Sequence, residues 1–160
     1  MSPFQRSAIF SSVCLLLSAC GAEPTQPANT SPANTTPAPA PVNIELPAEL
    51  AGADLRAGQG EYAKCRACHT VDTGGPNRVG PNLYGIFGQA TAQNPKFRYS
   101  KPMQNSDIVW DIPTMDQWLA NPRTFLPGTS MIFVGVRDDT KRKNLMAYLY
   151  VQTGGEAQND

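Results

Sequence analysis

Cys65, Cys68 and His69 stand together in the run Cys65-Arg66-Ala67-Cys68-His69, where the chain concentrates its chemically versatile side chains. Two thiols at this spacing bind a metal, cycle as a dithiol, or add across the vinyl groups of a porphyrin. The rest of the sequence discriminates among these uses. A closed zinc site takes four ligands. The chain has four cysteines and one histidine, and the other two cysteines, Cys14 and Cys20, fall in an N-terminal targeting segment. Two ligands are therefore missing. A thioredoxin-like dithiol belongs beside a βαβ pattern, and none surrounds this one. The C-x-x-C-H order is the attachment signature for one covalent haem c. Both thiols form thioethers on adjacent edges of the ring, and the next residue lies beneath the iron. There His69 supplies an imidazole nitrogen as the proximal metal ligand.

The elements that must position this motif read as helices. Residues 54–63 are predicted to form one, with Leu55 and Tyr62 a heptad apart on one face. Gly58 in its interior costs ~1 kcal/mol relative to alanine, which marks a close helix crossing. Residues 114–120 form a short helix ended by Asn121-Pro122. Asp138 or Asp139 caps a final helix through Leu145, Met146, Tyr148 and Leu149, stopped by Gly154-Gly155. Long Gly-, Pro- and Asn-rich stretches lie between, without strand alternation. Three helices and much loop make a poor core, so the haem is expected to fill the centre.

Residues 1–19 read as a targeting signal. One positive charge, Arg6, precedes a short apolar run from Ala8 to Leu17. That run falls short of the ~20 apolar residues that cross a bilayer. It ends in Leu17-Ser18-Ala19-Cys20, which resembles the lipobox of bacterial lipoproteins. The resemblance implies that Cys20 receives a diacylglyceryl group and becomes the new N-terminus. Residues 20–48 follow as the lipidated cysteine and a Pro/Ala/Thr-rich linker, too poor in apolar side chains to fold. Fully extended, this tether reaches on the order of 80 Å at ~3.1 Å per residue. The folded domain is assigned to residues 49–153 and a short tail to residues 154–160. Thirteen basic and thirteen acidic residues cancel, so no global charge points to nucleic acid.

The domain resembles a class I cytochrome c of the mitochondrial and bacterial c2 type. The likeness runs through Gly58 and Tyr62, CRACHTV, RVGPNLYGIFG from Arg78 to Gly88, Phe97-Arg98-Tyr99 and Val109-Trp110. It continues through Asn121-Pro122, Pro127-Gly128-Thr129-Ser130-Met131-Ile132-Phe133 and Tyr148. The resemblance implies an all-α class I cytochrome c fold, with three to four helices and loops wrapped around one covalent haem. It makes Met131 the sixth iron ligand, a soft thioether that raises the reduction potential. It makes the Pro81 carbonyl the acceptor of the His69 Nδ1–H bond. Tyr99, Trp110 and Thr129 become partners of the haem propionates. Three positions depart from the common pattern. Trp118 stands where a tyrosine often bonds the methionine sulfur, Gln89 where an arginine meets a propionate, and Met103 where an asparagine is frequent.

The function expected from these residues is outer-sphere transfer of single electrons between respiratory or photosynthetic partners, with no catalysis. The alternatives are a haem-bearing donor subunit, or a peroxidase or gas-binding protein, which needs an open iron position and distal acid–base groups. The chain offers Met131 and no second histidine. By resemblance, Lys64, Arg78, Arg123 and Arg137 ring the exposed haem edge and face redox proteins with acidic docking surfaces. The expected location is the exported face of a bacterial membrane, held there by the lipid anchor.

Overall fold

Asp54 opens the first long helix by accepting hydrogen bonds from the Arg56 and Ala57 amides at 2.9 and 3.0 Å, which satisfies two otherwise orphaned donors. In the computed structural model, which describes residues 44–155, this helix is α1, Leu55–Tyr62. A 3₁₀ turn over Ala48–Leu50 precedes it. Further along lie α2, Lys101–Gln104, α3, Ile112–Ala120, α4, Pro122–Phe125, and α5, Asp139–Gln152. The described residues form no sheet. One isolated antiparallel bridge joins Ala90 to Val109. The fold is all-α, as expected.

The expected helices are present with shorter or longer ends. The helix expected over residues 54–63 is trimmed to its cap and the eight residues that follow. The one expected from residue 114 starts at Ile112, because Asp111 caps it through the Thr114 amide at 2.8 Å and Pro113 suits its first turn. Asp138 rather than Asp139 caps α5, accepting from the Lys141 amide at 2.9 Å. The face of α1 needs correction. Gly58 and Tyr62 are its buried residues, whereas Leu55 is 40% exposed. Leu55 lies with Tyr148 and Val151 along an open surface groove at the edge of the helix pair.

The central contact is the crossing of α1 over α5. A Cβ on Gly58 would lie 2.0 Å from the Asn144 carbonyl oxygen and 2.8 Å from the Tyr148 Cβ, so the backbones meet directly. The Asp54 amide donates to Asn144 Oδ1 at 2.9 Å, and the Tyr62 and Tyr148 rings pack with centroids 5.4 Å apart. Leu50, Phe87, Leu145, Ala147 and Leu149 are among the buried residues of the surrounding core. Ile44 and Leu46 also pack against it, and Gly155 is buried at the far end. The targeting signal, Cys20, the linker up to residue 43 and the last five residues lie outside the described residues.

Candidate haem site

The end of α1 delivers the two thiols and the imidazole. Its hydrogen bonding continues past Tyr62 as turns. The Cys65 amide donates to the Tyr62 carbonyl at 2.8 Å, and the Cys68 and His69 amides both donate to the Cys65 carbonyl, at 2.9 and 3.0 Å. The motif is thus wound on a helical turn, which fixes the spacing of its side chains. The two cysteines form no disulfide; Cys65 is buried and Cys68 half-buried. Burial pushes the Cys65 thiol up to about 11, against a smaller lowering by Lys64.

His69 is held from three sides. Its Nδ1 lies 2.7 Å from the Pro81 carbonyl, to which it donates in the tautomer that leaves Nε2 with a free lone pair. Burial pulls the imidazole below its ordinary pKa, and the Pro81 hydrogen bond partly opposes this. Both effects suit a ligand that is neutral and fixed in orientation. A Cβ on Gly80 would sit 2.3 Å from His69 Cε1, so the ring rests on bare backbone. The Tyr62 hydroxyl donates to the His69 carbonyl at 3.2 Å. Around them, the Gly80 amide donates to the Cys68 carbonyl at 2.8 Å, and Asn82 Nδ2 donates to Thr70 Oγ1 at 2.7 Å. These bonds tie residues 68–82 into one rigid turn.

The other expected residues come from the opposite half of the sequence. Met131 is half-buried against the core, and its amide lies 3.3 Å from Thr129 Oγ1. The Thr129 amide donates to the Leu126 carbonyl at 3.1 Å. Trp110 is buried and stacks tilted on Trp118 at 5.4 Å, and Trp118 meets Phe125 edge-on at 6.2 Å. Tyr99 packs edge-on against Phe97 at 4.9 Å, and burial raises its phenol pKa. Met103 is buried, and Gln89 uses its backbone to join Ile86 and Trp110.

A haem fits this set of residues. Among the described residues no cluster of His, Cys, Asp and Glu suffices for a protein-only metal centre. Ser100 Oγ and Thr153 Oγ1 are the buried side-chain oxygens left without a partner there. Thr153 terminates α5, but Ser100 follows Tyr99, the residue expected at a propionate. An orphaned buried hydroxyl costs ~1–3 kcal/mol and suits a site that receives a ligand carboxylate. Nothing in the sequence singles out Ser100, an isolated serine in a polar loop.

Two cysteines and a clamped imidazole on one helical turn, within an all-helical shell, fit a covalent haem protein. The chain belongs to the class I cytochrome c family, whose members carry electrons on one covalently bound haem c and are not enzymes. It is 40% identical over 96 residues to cytochrome c2 of Rhodoplanes tepidamans, covering 60% of this chain and 90% of that protein. It is 42% identical over 98 residues to a cytochrome c homolog of Bradyrhizobium diazoefficiens, covering 61% of this chain but only 53% of that longer protein. Cytochrome cH from Methylobacterium extorquens matches in structure with a TM-score of 0.56 at 36% identity, over 60% of this chain and 96% of that one. No family model matches the chain.

Proposed function

We propose that this chain is an exported, membrane-anchored carrier of single electrons, with haem bound at Cys65 and Cys68, His69 and Met131 as its axial ligands, and lipid on Cys20. The observation that supports the ligation best is the imidazole of His69, fixed by the Pro81 carbonyl and seated on Gly80. When bound, the haem supplies one-electron exchange between ferric and ferrous iron without a change of ligands. The chain does the rest. Pro81 fixes the tautomer of His69 and makes it more basic. The thioether of Met131 favours the ferrous state. Tyr99, Ser100, Trp110 and Thr129 offer donors to the propionates, which lowers the cost of burying their charge. Trp110, Trp118 and Phe125 wall off water.

The docking face follows the same reading. Lys64 is already paired with Glu61, and Arg78 Nη1 donates to the Arg66 carbonyl at 2.6 Å. Arg123 and Arg137 are exposed. They steer a redox partner with an acidic surface, and salt screens that attraction with a Debye length of ~10 Å at 0.1 M. In Arg123→Glu, stopped-flow electron transfer with such a partner slows severalfold at low salt and little at high salt. Equal slowing under both conditions removes steering from the account.

The anchor is tested separately. No helix among the described residues is long and apolar enough to cross a membrane. Two or more acyl chains on Cys20 hold the protein stably, because each buried CH₂ contributes ~0.8 kcal/mol. Metabolic lipid labelling of the wild type is expected, and Cys20→Ser abolishes it and releases exported protein from the membrane. Labelling that survives the substitution rules Cys20 out as the acceptor.

A further inference from the structure

The segment carrying Met131 begins after Ala120, the last residue of α3, and closes back on it at Val136. Its neck is closed backbone to backbone. The Val136 amide donates to the Leu119 carbonyl at 2.8 Å. Gly135 has φ +88°, and a Cβ there would lie 2.0 Å from the Ala120 carbonyl oxygen. Between Met131 and this neck Ile132 is 97% and Val134 84% exposed, so Phe133, half-buried against the core, is the side chain that holds this stretch besides the neck. The backbone hydrogen bond that holds the returning segment is at the neck.

Arg142 reaches that point from the first turns of α5. It is a buried arginine, only 7% exposed. Its Nε and Nη2 donate to the two carboxylate oxygens of Asp116 on α3, at 2.7 and 3.2 Å. Nη2 also donates to Asp139 Oδ1 at 2.9 Å. Nη1 donates to the Val136 carbonyl at 2.9 Å and the Arg137 carbonyl at 3.3 Å. One planar group therefore joins α3, α5 and the segment emerging from the loop. A guanidinium serves two directions at once because its donors form a rigid fork, which an ammonium lacks. Hydrogen bonds to ionised groups are among the stronger ones, and a buried charge left without its partner is costly.

We propose that Arg142 is a positioning residue for Met131: by clamping the neck, it sets the fraction of time that the methionine loop is shut. The inference rests on Met131 being the sixth ligand. Without the clamp the loop opens as a local unit while α1 and α5 stay packed, in the manner of sub-global unfolding. The iron position opposite His69 then becomes accessible more often.

Imidazole is the probe, added to ferric haem-loaded protein, because it occupies the iron only when the methionine is off. Its apparent affinity scales with the open fraction. Arg142→Gln is expected to bind imidazole about tenfold or more tightly than wild type, the effect of losing charge-assisted hydrogen bonds at the neck. Asp116→Asn shifts affinity in the same direction by less, and Arg142→Lys recovers part of the wild-type value. Leu50→Ala, which empties a fully buried site against α5, lowers the denaturant midpoint without changing imidazole affinity. Wild-type affinity in folded Arg142→Gln overturns the proposal, as does the same result in Asp116→Asn should the first variant not fold. An equal gain in Leu50→Ala overturns it too, by reducing the effect to general destabilisation. A wild-type protein without methionine ligation fails the underlying reading, and the clamp falls with it. A methionine-ligated wild type with unmoved affinities removes the clamp alone.

Discussion

Met131→Ala abolishes the weak red charge-transfer band of ferric methionine-ligated iron and lowers the reduction potential by on the order of 0.1 V or more, since axial ligands tune haem potentials over ~0.8 V. The thioether is a neutral, soft donor that stabilises the ferrous state, and alanine has nothing to replace it with. His69 is the chain's sole histidine, so no second imidazole takes over. Water or hydroxide then fills the position, and the spectrum moves toward high spin. The structure adds why the effect should stay local. Met131 is only half-buried and lies in a loop, while the packed crossing of α1 and α5 involves none of its residues. Absorption spectra and a redox titration of wild type and variant decide the matter. A wild-type spectrum of bis-histidine or high-spin character would refute the assignment.

Gly58→Val leaves little folded protein. A Cβ there meets the Asn144 carbonyl oxygen at 2.0 Å and its carbon at 2.7 Å, and neither is a flexible side-chain end. The helices must separate, which also breaks the Asp54 amide bond to Asn144 and the packing of Tyr62 on Tyr148. Overpacking at a backbone contact costs about 3 kcal/mol or more, a large part of the ~5–15 kcal/mol that holds a domain together. Gly60 lies on the same helix with nothing within 4 Å of its would-be Cβ. Gly60→Ala is therefore expected to raise stability by up to ~1 kcal/mol through helix propensity. Urea denaturation of the haem-loaded variants separates the two glycines. Equal responses would mean that the crossing is looser than the backbone contact implies.

The start of the last helix and the haem motif were legible because each is written in local chemistry. Asp138 or Asp139 offered a cap for the last helix, and Cys65, Cys68 and His69 carry their spacing with them, whereas the Asp111 cap went unread and the helix it opens was placed two residues late. Gly58 was legible as a cost that needed a compensating contact. The two four-residue helices α2 and α4 were not, since a single turn shows no periodicity. Leu55 was misplaced because periodicity finds a face but not where that face runs out of partner. Arg142 looked like any helix cation. Its burial depends on Asp116, twenty-six residues earlier, and on two backbone carbonyls, none of which leaves a mark in the sequence. The separation of Met131 from His69 by sixty-one intervening residues, counted from their numbers, likewise put their pairing beyond local patterns and within reach only of a family resemblance.

The chain enters its folded body through Ile44 and Leu46, which lie against the core, and then through Leu50, which is fully buried. A Cβ on Gly155 would lie 3.3 Å from Ile44 Cγ2, so the beginning and the end of the described fold touch. Any pull on the N-terminal stretch is therefore delivered to the 3₁₀ turn and α5, and shared with the C-terminal residues beside them. The loop from Asn121 to Val136 meets that line of force where Arg142 of α5 holds the Val136 carbonyl. A pull that reaches α5 is thus felt at the neck of the methionine loop through that one guanidinium.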